Sequence, residues 1–98
     1  MAGPAAALSQ GLILAEITIY TKVTCGFCHS AKRLLDQKGL EYTEIAVDFD
    51  RALWEEMVAQ SGQRTVPQIR INNNWIGGCT DLYALERSGK LDQLTAEN

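Results

Sequence analysis

The chain predicts an α/β fold, a four-stranded mixed sheet flanked by three helices, and three observations carry that prediction. Short runs such as Ile17-Thr18-Ile19-Tyr20-Thr21 and Glu41-Tyr42-Thr43-Glu44-Ile45-Ala46-Val47 alternate with the period of half-buried strands. Longer stretches with helical spacing follow them and are closed by Gly39, Gly62 and Gly89. The resulting order, β-α-β-α-β-β-α, packs compactly as one sheet between helical layers. With 98 residues there is apolar material for one core and none to spare for a second.

The elements follow in order. Met1 to Leu14 is Ala-rich and carries no charge. It lacks the basic start of a secretory signal and the arginines of a transit peptide, and no run is long enough to span a bilayer. It is expected to be a disordered or expression-derived tail before a domain over 15–98. The first strand is expected over Glu16–Tyr20 and the first helix over Gly26–Lys38, with Gly39 as its stop. The second strand takes Glu41–Val47. Asp48-Phe49-Asp50 then offers carboxylate caps for a helix over Arg51–Ser61, with Leu53, Trp54, Met57 and Val58 facing the core. The third strand is Pro67–Ile71, Asn72-Asn73-Asn74 forms a hairpin turn, and Trp75-Ile76 begins the fourth strand. Gly77-Gly78 leads into a third helix over Asp81–Ser88, capped by Thr80 and stopped by Gly89. A right-handed crossover makes the first two strands parallel neighbours, and the last two form an antiparallel hairpin. The first and third helices share one face of the sheet, and the second covers the other.

Composition excludes several classes. A net charge of −3 gives no nucleic-acid surface. The pI near 5.0 agrees. The local positive charge, Lys22, Lys32, Arg33 and Lys38, surrounds one cysteine motif instead. Three cysteines leave one odd thiol, so a fully paired secreted framework does not fit and a reducing, cytoplasmic compartment does. No membrane partner is expected.

The chemistry concentrates in Thr24-Cys25-Gly26-Phe27-Cys28-His29, at a strand-to-helix turn. A strand, a CxxC pair and a helix form a redox signature. Sulfur attacks as thiolate, yet a free cysteine is only ~3% ionised at pH 7. At Cys25 the unpaired N–H groups of the helix and the nearby Lys22 add positive potential. Cys28, one turn further in, should be more buried and more protonated, so Cys25 attacks and Cys28 resolves. The competing reading is a zinc site of three thiols with His29, but His29 directly follows Cys28 on a helix and points away from a shared metal. Pro67 is either a strand-opening proline or the second residue of a cis peptide that exposes the Val66 backbone to an extended ligand. Gly77 and Gly78 make a tight turn whose bare N–H groups can hold a carboxylate, and Asp81 at the rim can hold an ammonium. Trp54 and Trp75 are assigned to packing.

Taken together, Tyr20-Thr21-Lys22-x-Thr24-Cys25-x-x-Cys28-His29, Thr65-Val66-Pro67-Gln68-Ile69 and Gly77-Gly78-Cys79-x-Asp81-Leu82-Tyr83-Ala84-Leu85 resemble a glutaredoxin, closest to the small bacterial dithiol type. The likeness runs from about Glu16 to Leu94. It implies a thioredoxin-like fold, a cis Pro67, and a monomeric glutathione-dependent oxidoreductase acting on glutathionylated or disulfide-bonded proteins, with Cys25 and Cys28 as its catalytic pair. It also implies glutathione contacts from Lys22, Phe27, Thr65, Val66, Pro67, Gly78, Thr80 and Asp81. Lys22 would meet the glycine carboxylate, Val66 the cysteine backbone, and Thr80 and Asp81 the γ-glutamyl end. Cys79 is expected to be a small buried residue; exposed, it would be open to glutathionylation or an intermolecular disulfide.

One departure stands out. Dithiol members usually carry Pro-Tyr or Pro-Phe between the cysteines, whereas Gly26-Phe27 resembles the single-cysteine members that carry iron–sulfur clusters with glutathione. Glycine loosens the turn and removes bulk beside Cys25. The alternative function is therefore a dimer holding a [2Fe–2S] cluster, ligated by Cys25 of each chain and two glutathiones. No metal is expected in the monomer.

Overall fold

The structure, a computed structural model, describes residues 15–96, so the expected tail over Met1 to Leu14 lies outside the described residues. The elements are β1 (Ile17–Thr21), α1 (Gly26–Gln37), β2 (Thr43–Ala46), α2 (Arg51–Ser61), β3 (Gln68–Ile71), β4 (Asn74–Gly77), α3 (Cys79–Arg87) and α4 (Lys90–Thr95). The sheet runs β2-β1-β3-β4. β1 and β2 pair in parallel, with Tyr20 opposite Ile45, while β3 is antiparallel to both β1 and β4.

The alternation in β1 sorts its side chains between two layers, as the pleat requires. Ile17 and Ile19 enter the larger core, with Ala31, Leu34 and Leu35 of α1, Ile69 and Ile71 of β3, Leu82 of α3 and Leu91 of α4. Tyr20 turns to the other face and packs with Val47, Met57 and the half-buried Trp54, Val58 and Trp75. α1 and α3 thus share one face and α2 covers the opposite one, as expected. Each fully buried aliphatic side chain contributes about 1.5–3 kcal/mol.

Three features differ from the sequence expectation. Among the described residues there are four helices rather than the expected three, because α4 follows directly on Gly89, which sits at φ +80 and turns the chain back so that Leu91 is fully buried. Six residues are too short for a helical period to be read. α3 begins at Cys79, and its cap is Gly78 rather than Thr80, with the Asp81 carboxylate accepting the Gly78 N–H at 2.9 Å. The hairpin turn is Asn72-Asn73 alone, at φ 52 and 69, so that Asn74 already pairs with Ile71. Asparagine tolerates this left-handed region, and two such residues match the strand twist. The helix over Arg51–Ser61 has the expected bounds, and the other boundaries differ by at most two residues.

Candidate active site

The site assembles where β1 runs into α1. Asp50 caps α2 by accepting the Leu53 N–H, and the neighbouring Asp48 carboxylate accepts the Val23 N–H at 2.8 Å. That bond pins the connection after β1, and the Cys25 N–H then donates to Lys22 O at 3.3 Å. Cys25 is the cap of α1, and its Sγ accepts the Cys28 N–H at 3.0 Å. The two sulfurs are joined as a disulfide, with Cα atoms 5.2 Å apart. Cys25 is half-buried and Cys28 fully buried, the asymmetry expected of an attacking and a resolving thiol.

The Val66–Pro67 peptide is cis, and β3 opens one residue later at Gln68. Val66 O lies 3.7 Å from Cys25 Sγ. Gln68 is buried and donates from its amide to Thr65 Oγ1 at 3.2 Å, so a polar core residue holds the loop before the cis peptide. A groove of about 300 Å³ runs along this loop to the start of α3.

Of the residues singled out in the sequence, Phe27, Thr65, Val66, Pro67, Gly78, Thr80 and Asp81 all line that groove. Lys22 does not. It lies in an adjacent depression of about 430 Å³ beside Trp54, its Nζ 4.5 Å from the indole centroid. Trp54, assigned only to packing, is thus also in contact with a charged site residue. Trp75 is a packing residue, stacked on Tyr20 at 5.2 Å. Gln63 also lines the groove and was not singled out, although its place in the loop just before Thr65 was a usable signal.

The glycines at the far end have steric reasons. Gly77 has φ +110, and a Cβ there would collide with the Asp81 carboxylate. A Cβ on Gly78 would press on Pro67 O at 3.3 Å. Cys79 is buried, as expected, and burial pushes its thiol pKa up. His29 is exposed, away from the buried Cys28 and Cys79. Among the described residues no group of three or more His, Cys, Asp or Glu side chains is placed to hold a metal ion.

A CxxC disulfide at a helix N-terminus, facing a cis-proline loop on a thioredoxin-like sheet, defines a thiol–disulfide oxidoreductase. The glutaredoxin family profile matches residues 17–76. Glutaredoxin 3 of Escherichia coli K12 is 52% identical over 81 residues, which cover 83% of this chain and 98% of that protein. The solution structure of glutaredoxin from Brucella melitensis superimposes with a TM-score of 0.76 at 46% identity, over 85% of this chain and 90% of the other. The crystal structure of the buckwheat glutaredoxin–glutathione complex gives 0.77 at 33% identity, over 93% of this chain and 86% of the other. The chain belongs to the glutaredoxin family.

Proposed function

We propose that this glutaredoxin is a monomeric, cytoplasmic enzyme that reduces protein–glutathione mixed disulfides and protein disulfides at the expense of glutathione. The observation that carries this reading is the Cys25 sulfur, held by the Cys28 N–H at a helix N-terminus and 3.7 Å from Val66 O at the head of the groove. N–H groups aimed at that sulfur favour its thiolate. In the reduced enzyme the Cys25 thiolate attacks the glutathione sulfur of a mixed disulfide. A Cys25–glutathione disulfide forms, and the protein leaves as thiolate and takes up a proton. The thiolate of a second glutathione then attacks the glutathionyl sulfur, releasing oxidised glutathione and restoring the Cys25 thiolate.

For a protein disulfide, Cys25 attacks one sulfur, and the Cys28 thiolate displaces the substrate from the resulting mixed disulfide. The Cys25–Cys28 disulfide is left behind, and two glutathiones reduce it. Within the groove, the Val66 backbone pairs with the glutathione cysteine, and Phe27, Thr65 and Pro67 form the wall. The Cys79 and Thr80 backbone N–H groups at the α3 start, beside Gly78, receive the γ-glutamyl carboxylate, with the free Asp81 oxygen toward the ammonium. Lys22 meets the glycine carboxylate from the adjacent depression.

The test is a pair of substitutions in glutathione-coupled assays. Cys25→Ser should abolish both activities. Cys28→Ser should retain deglutathionylation and lose reduction of protein disulfides; equal loss of both would overturn the two-route scheme.

A second reading, a glutathione-ligated [2Fe–2S] dimer, is favoured by one observation: a Cβ at Gly26 would meet nothing within 4 Å, so the flank of Cys25 is open. Each chain would offer Cys25, its less buried thiol, and two glutathione thiols would complete the set; such a cluster would supply stored or transferable iron and sulfide. Anaerobic reconstitution on a sizing column decides it, since a brown dimer dependent on Cys25 and glutathione supports the reading and a colourless monomer overturns it.

A further inference from the structure

We propose that Gln68 is a positioning residue that acts through Thr65. By donating to Thr65 Oγ1, the Gln68 amide leaves the Thr65 hydroxyl as a hydrogen-bond donor to an acceptor oxygen of bound glutathione. This rests on the glutathione reading above and adds to it a buried residue and the direction of one hydrogen bond. Gln68 is the first residue of β3, opposite Tyr20 of β1, and only 3% exposed. Ile69 and Ile71, further along the strand, belong to the larger core. A buried amide is costly unless it is hydrogen-bonded, and here the partner is the Thr65 hydroxyl at 3.2 Å.

That bond fixes more than the place of the loop. A threonine hydroxyl has one hydrogen to donate and two lone pairs to accept with, whereas an amide nitrogen only donates. The Gln68 nitrogen therefore takes one lone pair of Thr65 Oγ1 and leaves its hydrogen unused. Among the described residues the Thr65 hydroxyl donates to no protein acceptor. Thr65 is exposed and lines the groove, one residue before Val66, whose carbonyl oxygen lies 3.7 Å from Cys25 Sγ. The free hydrogen is thus left for a ligand beside the nucleophile, and glutathione offers peptide carbonyl and carboxylate oxygens to receive it. A hydroxyl already held at one lone pair need not be ordered by the ligand, which removes part of the cost of binding.

The experiment is a double-mutant cycle, with KM for glutathione and kcat measured in the coupled assay for the wild-type chain, Gln68→Leu, Thr65→Val and the two together. Thr65→Val is expected to raise KM about fivefold and Gln68→Leu about threefold, each changing kcat by less than about twofold. The double variant should rise no further than Thr65→Val alone, because both changes remove the same bond to the ligand. Thr65→Ser, which keeps the hydroxyl, should recover most of the loss seen in Thr65→Val. Effects that multiply, to about fifteenfold in the double variant, overturn the proposal, since Gln68 would then act on the fold and not through Thr65. An active Gln68→Leu with the wild-type KM overturns it as well. If Gln68→Leu does not fold, Gln68→Met, which keeps the length and loses the donor, takes its place in the cycle. Thr65→Val, a change at an exposed position, overturns the proposal by itself if its KM stays at the wild-type value. A wild-type chain with no glutathione-dependent turnover would instead overturn the underlying glutathione reading.

Discussion

At the scale of single residues, the paired glycines show how a site constrains its chain. Gly77 is held at φ +110 with the Asp81 carboxylate where a Cβ would stand, and that carboxylate closes the start of α3 by accepting the Gly78 N–H. Gly77→Ala therefore combines backbone strain with displacement of Asp81, and should cost about 1–3 kcal/mol of stability while raising KM for glutathione. Gly26→Ala makes the contrast. Its Cβ meets open space, so urea denaturation should show no loss and a small gain, of about 0.5–1 kcal/mol. Both glycines were conspicuous in the sequence, but which of them is sterically obligatory depends on the turn that folds the Asp81 carboxylate back onto Gly77, and residue spacing does not display that geometry.

At the scale of elements, polar side chains tie together strands and helices distant in sequence. Asn72, in the left-handed turn, accepts the Glu16 N–H at 2.9 Å and donates to Leu94 O at 3.1 Å, joining the hairpin to the start of β1 and to α4. Asn72→Ala loses both bonds and the asparagine's tolerance of positive φ, an expected loss of about 2–3 kcal/mol by urea denaturation. Glu44 on β2 accepts from Thr21 Oγ1 at 2.7 Å and pairs with Lys32 of α1 at 3.0 Å. Chiefly the Thr21 hydroxyl, and then Lys32, hold its pKa below the ordinary 4.5, against the opposing effect of burial. A carboxylate depressed on folding adds stability above its unfolded pKa and loses it as pH falls through its folded pKa. Unfolding free energy should thus fall less steeply below pH 4.5 in Glu44→Gln than in the parent, and equal slopes would remove Glu44 from the acid response. The strand patterns announced β1 and β2, but not that an exposed edge strand would carry this link.

At the scale of the whole molecule, the larger core is completed by the helix that was not foreseen. Leu91 of α4 is fully buried beside Leu35 and Leu82 in one cluster. Leu91→Ala should cost about 2–5 kcal/mol, a large share of a small domain's total, and shift the urea midpoint with no change in slope. A loss under about 1 kcal/mol would mean that α4 frays apart from the rest. The order of strands and the first three helices, the paired faces and the CxxC pair at the start of α1 were all determined by the sequence alone, because alternation, glycine stops and CxxC spacing are local signals with local physical causes. The tertiary structure alone decided the burial of a six-residue helix and the meeting of Lys22 and Arg64 on Trp54. Each of these depends on contacts between segments far apart in the chain, where short-range periodicity carries no information.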